Sequence, residues 1–351
     1  MGRRILVVNP GSTSTKMAVF DGGTSVHAET LRHDAATLGH YRRIWDQFEF
    51  RLGVLRDWGK SRGGDFAAVA SLGGLLKPVE GGVYAVNDSM LADARANLQG
   101  EHASNLGCAL AYALAEEYRC LALVADPVSV DEFEPLARYS GHPLIRRSSL
   151  SHALNLHAAA ARAAETLNLV FERASFVVAH LGGGISIAPI KAGRIVDIND
   201  ASSDGPFSPE RTGGLPLQQF ITLCYAGTRT EEEMRKLVMG RGGLSAYLRT
   251  NSAPEVELRI AGGDQQAREV YEAMAYQIAK EISAMAAVLK GDFQAIVLTG
   301  GLASSSMLTG WISERVSFLA PVLIFPGEDE MRSLAAAALR VVDGKENPRT
   351  Y

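Results

Sequence analysis

One pattern constrains this chain more than any other. A buried strand, a loop of small polar residues, a second strand, a turn and a third strand occur in that order twice. Ile5-Leu6-Val7-Val8 is the first apolar run, Asn9-Pro10-Gly11-Ser12-Thr13-Ser14-Thr15-Lys16 interrupts it, Met17-Ala18-Val19-Phe20 resumes it and Asp21-Gly22-Gly23 turns the chain again. Near the middle, Phe176-Val177-Val178-Ala179 is followed by His180-Leu181-Gly182-Gly183-Gly184, a second strand over Ile185 to Ile190, the turn Lys191-Ala192-Gly193-Arg194 and a third strand Ile195-Val196-Asp197-Ile198. The correspondence lies in the pattern and not in the letters. It predicts two related α/β domains, each opening with a β-meander.

Helical composition with apolar spacing near 3.6 predicts helices over Glu101–Tyr118, Ser151–Leu167 and Arg268–Leu289. Ala295-Ile296-Val297-Leu298 reads as a further buried strand, followed by Thr299-Gly300-Gly301 and a helix. Val322-Leu323-Ile324-Phe325 reads as the last strand, ahead of Pro326-Gly327 and an Ala-rich helix from about Glu328 to Val342. No low-complexity linker marks a boundary. The position of the second meander places one near residue 150, giving an N-terminal domain over 1–150 and a C-terminal domain over 151–327, with the final helix (about 328–351) returning to the first.

The chain has 351 residues, enough for two cores. Its net charge of −4 offers no basic footprint for nucleic acid. There is no apolar run of about 18 residues to cross a membrane. The apolar run after Arg3 and Arg4 is too short for a signal-peptide core. Cys108, Cys120 and Cys224 are far apart and lack metal-ligand spacing, so they read as buried free thiols of a cytoplasmic protein.

Five segments carry candidate chemistry. The loop Asn9–Lys16 is dense in backbone N–H groups and hydroxyls, and such a loop between strands can surround phosphate oxygens. It lacks the second glycine and the Ser/Thr after lysine of a Walker loop, and an ordinary polar turn has the same composition. Gly182-Gly183-Gly184 after a buried strand costs backbone entropy, which close approach of a ligand would explain, as would a β-bulge. Thr299-Gly300-Gly301 ends a strand where α/β sheets bind ligands, or makes a tight strand-to-helix turn. Arg211, in the Pro- and Gly-held loop 205–214, suits bidentate recognition of phosphate or carboxylate, or else a salt bridge with Glu210. His152, behind Ser151, lies at an expected helix N-terminus attractive to anions, or is a cap or packing residue.

Together these segments resemble the acetokinase family (acetate and butyrate kinases) of the sugar kinase/heat-shock chaperone/actin superfold, most closely its butyrate kinase and branched-chain fatty-acid kinase branch. Val8–Lys16 resembles the family's first phosphate motif, His180–Ser186 the second and Leu298–Ala303 the adenosine motif. Gly73–Gly82, Glu101–Gly107, Asp126–Glu132, Gly205–Arg211 and Pro326–Met331 match the butyrate kinase pattern. The resemblance covers essentially the whole chain. It implies two actin-like (ribonuclease H-like) domains with a cleft between them, a cytoplasmic homodimer or higher homo-oligomer, and reversible phosphoryl transfer between ATP and butyrate or a similar short- or branched-chain acid. The products would be an acyl phosphate and ADP, with Mg²⁺ as cofactor. By the same resemblance, Asn9, Ser12 and Ser14, with Gly11, Thr13 and Lys16 of the same loop, would face phosphate. His180 and Gly182–Gly184 would meet the β- and γ-phosphates, and Thr299, Gly300 and Gly301 would approach the nucleotide. Asp126 and Glu330 would hold Mg²⁺, and His152 and Arg211 would surround the transferring group, with Arg211, His152, Asp126 and His180 as the catalytic set.

The chain departs from the pattern in two places. Ser71-Leu72-Gly73-Gly74 stands where butyrate kinases have Gly-Arg-Gly-Gly, and Thr250-Asn251-Ser252-Ala253-Pro254 where they have Thr-Asn-Asp-Ala-Arg. A cation near the substrate carboxylate, and an acid and an arginine near the nucleoside, are therefore replaced, with Arg62 and Arg249 nearby in sequence. The alternative function is a catalytically weakened paralogue serving as a ligand-binding or interaction protein, which Leu72, Ser252 and Pro254 favour.

Overall fold

The computed structural model describes residues 3–327 and 329–351. By contact the chain separates into two compact units, Met1–Asp131 with Asp329–Tyr351, and Glu132–Glu328.

The first unit holds strands β1 (Arg4–Pro10), β2 (Ser14–Asp21), β3 (Thr24–Arg32), β4 (Ala68–Ser71), β5 (Val83–Ala85) and β6 (Leu121–Ala125). With the C-terminal strand Arg349–Thr350 they form one sheet, in the order Arg349–Thr350, β5, β6, β4, β1, β2, β3. β1, β2 and β3 are the antiparallel meander, and β4 and β6 add to β1 in parallel. The run Ile5–Val8 is continuously apolar because β1 is central and covered on both faces; all four residues are fully buried. Leu6 and Val8 pack with Leu52, Leu55, Leu110 and Leu114 from the helices Phe48–Lys60 and Leu106–Tyr118. The helix Glu330–Val342 lies against β1, β4 and β6, burying Leu334, Ala335 and Ala338. It begins at Glu330 because Asp329 caps it, accepting the Arg332 N–H; Glu328, where the sequence predicts its start, lies outside the described residues.

The second unit carries a small hairpin, β7 (Tyr139–His142) with β8 (Ile145–Arg146), and the strands β9 (Ser175–Leu181), β10 (Ile185–Lys191), β11 (Arg194–Ile195), β12 (Ala295–Gly300) and β13 (Val322–Pro326). The sheet order is β11-β10-β9-β12-β13, again a meander whose first strand is extended by two parallel strands. The order β3-β2-β1-β4-β6 in the first unit is the same arrangement. Along β9 the residues alternate: Val177, Ala179 and Leu181 join the core built with Tyr271, Met274 and Ile278 of the helix Gln265–Val288. Phe176, Val178 and His180 face the other way, where the helix Ala153–Thr166 packs.

Three expectations change. Contacts place the division at 131/132 and not near 150, because the intervening residues bond within the second unit: Ile195 N–H donates to Glu132 (2.9 Å), Arg147 donates to the Ile198 carbonyl (2.8 Å) and pairs with Asp197 (2.9 Å). The helix expected from Glu101 starts at Leu106, since Ala103–Asn105 form a tighter turn in which Asn105 Oδ1 accepts the Leu75 N–H at 2.8 Å. The third strand of the second meander ends at Ile195 rather than Ile198. Of the cysteines Cys108 is buried, whereas Cys120 and Cys224 are half-buried. Among the described residues no helix is long and apolar enough to cross a membrane.

Candidate active site

In each unit the candidate residues gather at the carboxyl ends of the parallel strands, where an open α/β sheet presents backbone ends and helix N-termini to a ligand. In the first unit Asn9 is the last residue but one of β1 and Asp126 follows β6. Asn9 Nδ2 donates to Glu330 Oε2 at 2.8 Å, and Lys16, opposite Asn9 in the β1/β2 register, reaches the same oxygen at 3.4 Å. Glu330 is thereby fixed at the start of its helix while Oε1 has no partner among the described residues. Asp126 has left-handed backbone (φ 39°), which costs a non-glycine residue about 1 kcal/mol or more. A reciprocal pair holds it there: Asp126 N–H donates to the Gly82 carbonyl at 3.0 Å, and Gly82 N–H donates to Asp126 Oδ1 at 2.8 Å. Ser12 and Thr13 are exposed at the tip of the β1–β2 turn, with Gly11 and Ser14 half-buried beside them.

In the second unit His180 and His152 stack at 4.0 Å between ring centroids, 15° from parallel. His180 Nδ1 is 2.8 Å from Asn155 Oδ1, and His152 Nδ1 is 3.0 Å from Ser186 Oγ. His152 occupies the N-cap position of the helix Ala153–Thr166 without capping it by side chain, so its ring serves the stack. Ser186 pairs with His180 in the β9/β10 register, and Thr299 pairs with His180 from the β12 side. Asn155 and Ser186 escaped the sequence reading. The usable signals were an asparagine one turn into an otherwise apolar helical face and a serine the hairpin register sets opposite His180.

The glycines divide by task. Gly182–Gly184 form a tight turn with no register shift between β9 and β10, so they are not a bulge. A Cβ on Gly184 would stand 2.4 Å from Arg211 Nη1, whereas one on Gly183 would meet nothing within 4 Å. The third glycine is thus the seat of the Arg211 guanidinium, and the second faces open space. Gly300 has φ 92° and a Cβ there would lie 2.4 Å from the Leu181 carbonyl oxygen, while one on Gly301 meets nothing within 4 Å. Gly300 serves the turn and Gly301 is the open position. Gly300→Ala is expected to cost at least about 1–3 kcal/mol of stability, the range for such backbone strain, measured by urea unfolding; an unchanged midpoint would show that the close approach to Leu181 is not real.

Arg211 is half-buried and makes no ion pair among the described residues, so the alternative of a bridge to Glu210 does not hold. Its Nη1 donates to the Ala201 carbonyl at 3.1 Å. Burial lowers its pKa from the ordinary arginine value, opposed by the nearby Glu210 and Asp200. The loop is fixed by backbone: Ser208 N–H donates to the Arg211 carbonyl (3.0 Å), and Ser208 Oγ accepts the Arg211 N–H (3.2 Å) and donates to the Gly183 carbonyl (2.5 Å). Ser208, also missed from sequence, ties the arginine loop to the glycine turn. The structure brings Arg211, Gly184, His180 and His152 together in one unit, and Asn9, Lys16 and Glu330 together in the other. Among the described residues no group of three or more His, Cys, Asp or Glu side chains is placed to hold a metal by itself.

The replaced positions have local roles. Ser252 caps the helix Ala253–Ala261, its Oγ accepting the Glu255 N–H at 3.4 Å, and Pro254 lies in the first turn, where a missing N–H costs nothing. Arg62 lies over the Trp58 ring at 5.2 Å in the first unit.

Comparison with known proteins fits this geometry. A family model described as the acetokinase family matches residues 137–319. A protein described as probable butyrate kinase 2, from Caldanaerobacter subterraneus subsp. tengcongensis, is 50% identical over 99% of this chain and 99% of its own length. Among solved structures, an acetate kinase of Porphyromonas gingivalis covers 97% of this chain and 99% of that one at 18% identity, TM-score 0.76. A propionate kinase of Francisella tularensis subsp. tularensis SCHU S4 covers 96% and 99% at 17% identity, TM-score 0.71. At such identities these two speak for the fold alone, which is that of the actin-like superfold. With half of its residues shared along nearly the full length of a relative, and a family model matching more than half of the chain, the protein belongs to the acetokinase family.

Proposed function

We propose that the protein is a carboxylate kinase that moves a phosphoryl group reversibly between ATP and butyrate or a similar short- or branched-chain acid. The observation that carries this reading is the Arg211 guanidinium seated on the glycine turn that follows His180, with His152 stacked beside it. These are cations or donors aimed at anions, and the reaction asks for little else. A short-chain carboxylate is ionised at pH 7, so no general base has to make the nucleophile. A carboxylate oxygen forms a bond to the γ-phosphorus while the bond to the β-phosphate oxygen breaks, leaving acyl phosphate and ADP; the reverse regenerates ATP. The transition state spreads negative charge over the equatorial oxygens, which Arg211 and the two histidines are suited to stabilise. Gly183 and Gly301, open to solvent-sized neighbours, support contacts of backbone with nucleotide phosphate.

Mg²⁺ fits the residues present. It usually takes one or two carboxylates and completes its shell with water and phosphate oxygens, and does not need a full protein cage. Asp126 and Glu330 would hold it, and it would supply charge neutralisation of the bridging phosphates. A cytoplasmic homodimer or higher homo-oligomer belongs to the same reading.

The test is ATP-dependent formation of acyl hydroxamate from a series of acids in hydroxylamine. A methylene buried in an apolar pocket contributes about 0.8 kcal/mol, roughly fourfold. Rates should rise stepwise from acetate to butyrate; no product with any acid sinks the reading. The nucleoside end gives a second check. Asp is as good an N-cap as Ser, so Ser252→Asp with Pro254→Arg should keep the helix Ala253–Ala261 while adding a charge-assisted bond to ribose and a cation beside the base. ADP binding is expected to tighten about tenfold, near 1.4 kcal/mol. Calorimetry with ADP and GDP decides: equal affinities in parent and variant would place the nucleoside contacts elsewhere.

A further inference from the structure

Behind the β1–β2 turn lies Arg51, on the helix Phe48–Lys60 and fully buried. Its guanidinium makes no ion pair among the described residues. Nη1 donates to the Ser14 carbonyl at 2.9 Å and to Thr15 Oγ1 at 3.1 Å; Nη2 donates to Gln47 Oε1 at 2.9 Å and, more weakly, to the Ser12 carbonyl at 3.4 Å; Nε donates to Gln47 Oε1 at 3.1 Å. The third carbonyl of the turn, that of Thr13, accepts the His33 N–H at 2.9 Å, and the Ser14 carbonyl also accepts the Gly11 N–H at 2.8 Å. Three consecutive carbonyls are thus drawn to the protein side. The Ser12 and Thr13 N–H groups find no acceptor among the described residues, and both side chains are exposed. Inward carbonyls with outward amides make an anion-binding concavity.

We infer that Arg51 is a positioning residue for phosphoryl transfer: it turns the carbonyls of the first phosphate loop inward, so that the Ser12 and Thr13 amides point at phosphate, and it lends the loop a buried positive charge that the bound anion compensates. This rests on the reading of the turn as a phosphate loop. A cation buried without a carboxylate is costly, and burial lowers the pKa of Arg51 to about 10. Among the described residues no carboxylate pairs with it to repay that cost; a phosphate on the far side of the loop would. Thr15 Oγ1, which also bonds His33 Nε2 at 2.8 Å, couples the arginine to β2 and β3, so the turn is held from both sides.

The test compares the parent with Arg51→Lys and Arg51→Met. Each is titrated with Mg·ADP by calorimetry and heated with and without inorganic phosphate. Arg51→Met is expected to bind ADP about tenfold or more weakly and to lose the rise in Tm that phosphate gives the parent, while its Tm without ligand falls little or rises. Arg51→Lys keeps the charge but not the fork, and should recover part of the affinity. A purely structural arginine would instead lower the ligand-free Tm and leave the phosphate-induced rise intact, and that result overturns the inference. So does parent-like ADP binding in both variants. Should Arg51→Met fail to fold, Arg51→Lys decides alone, since unaltered ADP affinity and an unaltered phosphate response in it contradict the role. A parent that binds no ADP removes the reading of the loop itself, and this inference with it.

Discussion

Arg211→Ala is expected to lower the rate of phosphoryl transfer by about 10³–10⁵, the range for an arginine that stabilises a phosphoryl transition state. Stability should hardly change. The backbone bonds between Ser208 and Arg211 do not involve the arginine side chain, and the Ser208 hydroxyl keeps its hold on Gly183. The side chain gives up one hydrogen bond, to the Ala201 carbonyl, a net contribution of about 1 kcal/mol. That loss is offset in part because the half-buried guanidinium, whose pKa burial lowers, no longer has to be desolvated. Turnover and melting measured on the same preparation separate the two effects. A folded variant with parental turnover would remove Arg211 from the chemistry.

Gly184→Ala should also slow the reaction, less severely and by a different route. The added Cβ would stand 2.4 Å from Arg211 Nη1 and 2.7 Å from Cζ, so the guanidinium must move. The backbone at Gly184 is not in the left-handed region, so alanine is tolerated there and the fold survives. A catalytic group displaced by about 1 Å costs on the order of 10² in rate. The decisive comparison is the double variant. If Gly184→Ala acts only through Arg211, it should add almost nothing in an Arg211→Ala background, a coupling nearly as large as its own effect. Independent, additive losses would mean that the glycine touches the ligand itself.

Much of the fold could be read from the residues because the two meanders are fully buried at their first strands. β1 and β9 are central, each with an antiparallel neighbour on one side and a parallel one on the other, so Ile5–Val8 and Phe176–Ala179 appear as unbroken apolar runs ahead of small-residue loops. Short strands such as Ala68–Ser71 and Val83–Ala85 carry too few residues for a period to show. The boundary was misplaced because what assigns residues 132–150 to the second unit is long-range: Glu132 with Ile195, Arg147 with Asp197 and Ile198. No local composition records such pairings.

The candidate site was legible in the same uneven way. Glycine-rich turns and the loop arginine stand out in sequence, but their partnership does not. That Gly184 seats Arg211, that Gly300 clears Leu181 and that Ser208 joins two loops are facts of packing between segments far apart in the chain. Arg51 did leave a trace. In Phe48–Lys60 it falls beside Leu52 and four residues before Leu55, on the stripe that the helix buries, where a charged residue is out of place unless something needs it. The substitutions at Ser252 and Pro254 were visible as departures, while their compensation as an N-cap and a first-turn proline required the helix they start.

Whether this chain makes ATP from an acyl phosphate can be read in a single assay. Purified protein is mixed with butyryl phosphate, ADP and Mg²⁺, and ATP is followed by a coupled luminescent reaction, with Arg211→Ala in parallel. Sustained ATP formation by the parent is expected, with a rate lower by about 10³ or more in the variant. A parent that binds ADP, yet forms no ATP from butyryl phosphate or from its shorter and branched relatives, would contradict the carboxylate kinase reading.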